Sequence, residues 1–241
     1  MIRAAPPIRH EGHARPDDAQ ALDAFAARAA HSLGTGVGLA AGYAALLRES
    51  SAEGLGAEGL AALDGLEGGL DRVRLFVEDL LELAVVEAAP VHRAPVRVDA
   101  AVAAAIDSLA EPIAEAGVGV EIGPLPDIVA DAGLLERLFR HLLRGALAAI
   151  EPGSGRIAVS GTRHPGGARL EVTDNGPALA AVDVHSLFEP FALPRGSGRL
   201  AGAGVSMAIC RRIAERHGGS TSAHSHRRGG CAVAVLLPGA A

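Results

Sequence analysis

The chain has 241 residues, of which 49% are apolar and 21% charged, and a mean hydropathy of +0.26, which excludes a disordered chain and leaves room for one large or two small domains. A net charge of -6 and an isoelectric point near 5.9 supply no basic field, so no nucleic-acid partner is expected. All 22 basic residues are Arg and aromatics make up only 2%, so the core falls to Leu, Val, Ile and Ala.

Cys210 and Cys231 lie far apart without a paired-cysteine motif, which points to two reduced core residues rather than a disulfide scaffold or zinc site. No metal site is expected. Residues 1–17 carry Pro, Arg and His but no apolar leader, and no later run approaches about 18 uncharged apolar residues. A cytoplasmic protein without membrane contact is the expectation.

In chain order, residues 1–17 read as a flexible tail, with Asp17 or Asp18 as helix N-cap. Leu22, Phe25, Ala29, Leu33, Val37, Ala40, Ala44 and Leu47 then recur at helical spacing until residues 50–59 break the pattern. A second helix carries Leu63, Leu66, Leu70, Val73, Val77, Leu80 and Ala84 in alternating steps of three and four, an a/d seam. Two such helices cannot bury both stripes alone, so an α-helical hairpin over residues 18–89, forming a dimeric four-helix bundle, is expected. The alternative is a hairpin packed only on its own chain.

Pro90 and Pro95 mark a linker over residues 90–98. Beyond it, residues 99–238 read as an α+β two-layer sandwich. Its expected parts are helices over 99–116, 132–150 and 205–217, strands near 118–122, 220–224 and 231–237, and a hairpin of residues 156–162 and 168–173 about Pro165-Gly166-Gly167. His224, His226, Arg227 and Arg228 read as solvated surface.

Several segments then carry a family resemblance. Phe25 to Leu47 resembles the H box of two-component sensor histidine kinases. Arg72 to Ala88 is similar to their second bundle helix, Leu134 to Ile150 to the N box, Val172 to Pro177 to the G1 box, Leu187 to Phe191 to the F box, and Gly202 to Gly219 to the G2 box and its helix. The order and spacing match over most of residues 20–238. The resemblance implies a dimerisation and phosphoacceptor domain followed by a GHKL-type (Bergerat-like) ATP-binding domain. It implies His31 as phosphoacceptor and Thr35 as a water-positioning residue. For nucleotide it implies Asp174, Asn175, Gly176, Gly202, Gly204 and His141, with residues 191–202 as a shortened lid carrying Arg195 and Arg199.

The sequence also departs from that pattern. Ser32 stands where the family has a carboxylate, and Gly34 and Gly36 where it has Arg and Pro. The two polar N-box positions are His141 and Gly145, and neither suits hard Mg²⁺, which prefers oxygen ligands. Ser206 replaces the third G2 glycine, Ala178 the second G1 glycine, and Ala148 a basic residue. ATP binding is therefore expected to be weak, and Mg²⁺ is left open. Partners implied are a response-regulator receiver domain, a second copy of the chain and a separate sensor protein. Three functions fit: an active histidine kinase, a phosphotransferase using His31, and a non-catalytic pseudokinase or docking dimer that binds response regulators or another kinase.

Overall fold

Proline's fixed φ suits the first position of a helix, and Pro16 opens α1 (Pro16–Ala88) in the computed structural model, which describes residues 16–180, 184, 186–190, 203–226 and 229–239. The helix thus begins before the expected Asp cap; residues 1–15 lie outside the described residues. Along its 73 residues Gly56 is the non-helical position, at φ 64° and ψ 179°, a left-handed backbone that glycine adopts without the Cβ penalty. The chain reverses there into two antiparallel arms, residues 16–55 and 57–88. Arg48 reaches Asp64 at 2.5 Å and Glu67 at 2.7 Å across the arms, and a Cβ at Gly34 would lie 4.0 Å from Val77. The expected break over residues 50–59 is narrower than its composition indicates, because helix persists to the residue before Gly56.

Ala44, Leu63 and Val77 are buried between the arms. Other apolar side chains of the hairpin are not covered: Leu33, Leu66 and Val73 of the expected stripes, and Leu39, Tyr43 and Leu46 outside them, are 46% to 63% exposed. Further along the second arm, Phe76, Leu80, Leu83 and Val86 turn to the other side and join the core of the following residues.

That following part is the expected α+β sandwich. Its elements are β1 (Ala94–Val96), α2 (Val98–Ser108), α3 (Ala110–Ala116), β2 (Gly119–Ile122), β3 (Ile128–Ala130), α4 (Ala132–Ala149), β4 (Arg156–His164), β5 (Gly167–Asp174), α5 (Ala203–Arg216), β6 (Ser220–Ser225) and β7 (Cys231–Pro238). A five-stranded sheet runs β2-β4-β5-β7-β6, parallel only between β2 and β4, and α2, α4 and α5 cover one face. The single helix expected over 99–116 is two. Pro112 cannot donate to the Ser108 carbonyl and its ring crowds that group, so the chain steps at Leu109, φ -114° and ψ 15°. The presumed linker holds a strand, β1, paired antiparallel with β3 so that Pro95 faces Val129. Three residues containing a proline give no period-two signal.

Packing fixes how α4 and α5 sit. Asp131 caps α4, its side chain accepting from the Leu134 amide at 3.0 Å and the His92 amide at 2.8 Å. The Asp131 amide in turn donates to Nε2 of His217 at 3.0 Å, while His217 Nδ1 bonds the Ile213 carbonyl at 2.8 Å. Donation from the amide makes Nε2 the acceptor, so Nδ1 carries the proton. His217 is buried and ties the end of α5 to the start of α4. His217→Ala leaves the Asp131 amide without its acceptor and should cost about 1–3 kcal/mol, read as a lower urea midpoint with unchanged m-value.

Candidate functional site

The side chains of β5 alternate, and the burial pattern runs intermediate then buried from Gly167 to Asp174. Ala168, Leu170 and Val172 therefore face the helices, and the same period carries Asp174 to the inner side at the strand's end. Its Oδ1 accepts from the Gly176 amide at 2.8 Å and the Cys231 amide at 3.3 Å. Burial pushes its carboxyl pKa up against the lowering effect of those amides. A Cβ at Gly176 would come within 2.7 Å of the Ala149 carbonyl oxygen, so only glycine lets this turn close against α4.

Asp174 lines a cavity of about 60 Å³ whose other walls include Leu142, Gly145, Ala146, Val172, Met207 and Cys231. The wall is apolar with one acid, suited to a flat ligand that offers an amino group. The thiol of Cys231 is pushed up to about 12 by burial and by Asp174, and Cys210 is buried as well. At Gly145 a Cβ would lie 2.9 Å from Cε of Met207. The flexible end of the methionine rests beside Gly145, and glycine offers no oxygen ligand there. The residues present fit a base-like group at Asp174 and do not fit a magnesium-bound triphosphate at Gly145.

The other expected site residues are spread. Asn175 accepts from the Arg156 amide at 2.7 Å and donates to the Ser154 carbonyl at 3.1 Å, stitching β5 to β4 rather than lining the cavity. Gly204 lies buried in the first turn of α5, and Gly202, Arg195 and Arg199 fall outside the described residues. His31 belongs to the first arm of α1, but its side chain lies outside the described residues; Thr35, one turn on, is exposed.

His141 is also absent from the cavity wall. With Arg137, Arg140 and Arg144 it forms a stripe at helical spacing on α4, and this stripe meets Asp79 and Glu82, three residues apart on the second arm of α1. Glu82 Oε1 accepts from Arg137 at 2.9 Å and Arg140 at 2.5 Å, and its Oε2 lies 3.2 Å from Nε2 of His141. Arg144 donates to Asp79 Oδ1, to Ser206 Oγ at 2.6 Å and to His141 Nδ1 at 3.1 Å. Ser206 donates to Asp79 Oδ2 at 2.9 Å. Asp79, His141 and Ser206 are all buried. The matched stripes, arginines three and four apart against acids three apart, were legible in the sequence and passed unread.

Comparison with known proteins bears on the family and the fold. The sequence model of the histidine kinase-, DNA gyrase B-, and HSP90-like ATPase family matches residues 130–241, which defines the class of the sandwich. The chain is 35% identical to sensor protein CutS of Streptomyces coelicolor over 171 residues, 70% of this chain and 41% of that protein. It is 28% identical to sensor histidine kinase ZraS of Escherichia coli over 231 residues, 93% of this chain and 47% of that one. Among solved structures, the full-length ShkA complex with AMPPNP superposes with a TM-score of 0.63 at 24% identity, over 91% of this chain and 47% of that chain. The mycobacterial sensor histidine kinase MprB superposes with a TM-score of 0.54 at 25% identity, over 61% of this chain and 98% of that chain. The chain belongs to the two-component sensor histidine kinase family, with a GHKL-type ATP-binding domain. It spans less than half the length of CutS and ZraS. No helix among the described residues is long and apolar enough to cross a membrane.

The buried polar contact has a pH signature. Burial lowers the His141 pKa below the usual 6.5, reinforced by the charge of Arg144 and opposed by Glu82, so the folded imidazole is neutral. Burial alone would raise Glu82, yet His141, Arg140 and Arg137 bring it down to about 2 from 4.5. As pH falls below 6.5 the unfolded chain gains a proton at position 141 that the folded chain resists, and stability drops. Glu82 contributes stability that is present above pH 4.5 and lost on the way to about 2. Urea midpoints should therefore fall in two stages on acidification, with His141→Gln flattening the first and Glu82→Gln the second.

Proposed function

We propose that the chain is a cytoplasmic phosphoryl-carrying module of two-component signalling, in which His31 exchanges a phosphoryl group with the aspartate of a response-regulator receiver domain and ATP-dependent autophosphorylation is weak or lost. One observation carries the second half: position 145 is glycine and offers no side-chain oxygen where the family resemblance requires a ligand for magnesium. Metal neutralisation of developing phosphate charge contributes several kcal/mol to such transfers, a loss of roughly a thousandfold or more in rate at about 1.4 kcal/mol per decade. Asp174 and its apolar wall remain, which supports weak binding of ATP through the base.

Exchange with a receiver asks less of this chain. A ring nitrogen of His31 forms the N–P bond while the O–P bond of the aspartyl phosphate breaks and its electron pair returns to the carboxylate. The reverse step hands the group on. Thr35, one turn beyond His31, is the residue the resemblance assigns to placing water for dephosphorylation. The working unit is a homodimer, a reading supported by the half-exposed apolar side chains of Leu33, Leu39, Tyr43, Leu46, Leu66 and Val73. Ser32, in place of the family's carboxylate, favours a second reading: a docking dimer that binds response regulators or another kinase without transferring phosphate.

Incubation with γ-labelled ATP and Mg²⁺ should leave little label on the protein, and strong label that disappears in His31→Ala would overturn impaired autophosphorylation. A phosphorylated receiver domain should then label the wild type and spare His31→Ala. An unlabelled wild type would remove the phosphoryl carrier and leave the docking reading. Light scattering at micromolar concentration should give the mass of a dimer, with Leu39→Glu shifting it toward monomer; a monomeric wild type would refute the bundle.

A further inference from the structure

We infer that Glu78, on the second arm of α1, is the positioning residue of His31: its carboxylate accepts from the ring nitrogen that does not take the phosphoryl group. The inference rests on the phosphoryl-carrier reading and names the group that serves it.

A histidine that attacks a phosphoryl group needs a second partner. As one ring nitrogen forms the N–P bond and the aspartyl O–P bond breaks toward the receiver's carboxylate, the imidazole becomes an imidazolium whose other nitrogen still holds its proton. A carboxylate beside that N–H fixes the tautomer and angle of the ring, and the proton leaves through it to water. The first arm does not supply one. Residue 32 is serine, and between Asp23 and Glu49 the arm has neither Asp nor Glu; both of those acids lie about 12 Å or more along the helix from His31.

The second arm has three acids at the right level. Gly34 lies against Val77, where an added Cβ would stand 4.0 Å from Cγ1, so in the antiparallel arms position 31 is level with Leu80 and flanked by Glu78, Asp79 and Glu82. Two of these are committed to the sandwich. Asp79 accepts from Arg144 and Ser206, and Glu82 from Arg137 and Arg140. Glu78 is half exposed and takes one bond, from Arg74 to Oε1 at 3.0 Å. Its Oε2 has no partner among the described residues.

Helical phase puts Glu78 and position 31 on one flank. At about 100° per residue, Glu78 stands about 100° past Val77, and three residues back from Gly34 is equivalent to about 60° past it. In antiparallel arms, rotations of the same sign lead from the contact to the same side. The charged neighbours of position 31 on that flank are Arg28, by its place on the first arm, and Arg74 and Glu78 on the second.

The Arg74 to Glu78 pair is an exposed i,i+4 contact whose loss leaves folding nearly unchanged, so Glu78→Gln and Arg74→Gln break the same pair while only the first removes the carboxylate. With a phosphorylated receiver domain, transfer to His31 should slow by about tenfold or more in Glu78→Gln, as for a lost proton-transfer partner, and hold its rate in Arg74→Gln. The His31 imidazole titration, followed by NMR without phosphate and assigned with His31→Ala, should move to lower pH in Glu78→Gln, because a nearby carboxylate favours the charged ring. It should move to higher pH in Arg74→Gln. Equal transfer rates in wild type and Glu78→Gln, an equal slowdown in Arg74→Gln, or a His31 titration that Glu78→Gln leaves in place overturns the inference and leaves the carrier reading intact. A wild type that takes no label removes the carrier reading and the inference with it.

Discussion

Helix α4 has to satisfy two neighbours at once, and most of the molecule follows from that constraint. Toward the sheet it offers Leu135, Leu138, Phe139, Leu142 and Ala146, all buried, which supply the bulk of the sandwich core. Toward the hairpin it offers arginines. Burying a carboxylate unpaired is prohibitive, so Asp79 and Glu82 of the second arm of α1, which sink into the contact, depend on cations at matching spacing, and the half-buried arginines of α4 supply them. The pairing carries a large desolvation cost, and its value lies in register more than in net stability. A hairpin slid by one turn toward the C-terminal end of α4 would bring Asp79 to Ala148 and leave it without its cation.

Seen from α4, the changes in the nucleotide boxes are coupled rather than independent losses. Gly145 leaves room beside it for the Met207 methyl, and both residues line the cavity. Ser206, the residue before Met207 on α5, faces the other way and bonds Asp79. One short helical segment therefore serves the cavity with one side chain and the hairpin with the next.

The fold was legible in the sequence wherever periodicity ran long. The a/d seam of the second arm, the strand alternation about Pro165-Gly166-Gly167 and the amphipathic pattern of α4 each repeat often enough to rise above composition. Short elements were not: β1 and β3 span three residues each, and the step at Leu109 depends on a single proline within an otherwise continuous Ala-rich helix. At the site, Asp174 and Gly176 were named from the resemblance of residues 172–177 to the G1 box, and in the structure Asp174 lines the cavity while Gly176 closes the turn under the Ala149 carbonyl. Asn175 and His141 were assigned from their place in the boxes, yet their side chains turn to β4 and to the hairpin. Which way a residue of a box points depends on contacts between segments far apart in sequence. The position of Met207 against Gly145 is of the same kind, since neither residue alone announces the other.

Gly56 makes the hairpin a ruler. Because the reversal occupies one residue, the angular phase of each arm is counted from that point, and nothing downstream of a loop can absorb an error. A residue inserted into either arm would turn everything beyond it by about 100°, carrying the seam out of contact and swinging Asp79 and Glu82 off the α4 stripe. Seven residues added to both arms would restore the phase to within about 20° per heptad. The hairpin can accordingly be lengthened or shortened only by paired steps that keep the helical phase, such as about 7 or 11 residues in both arms.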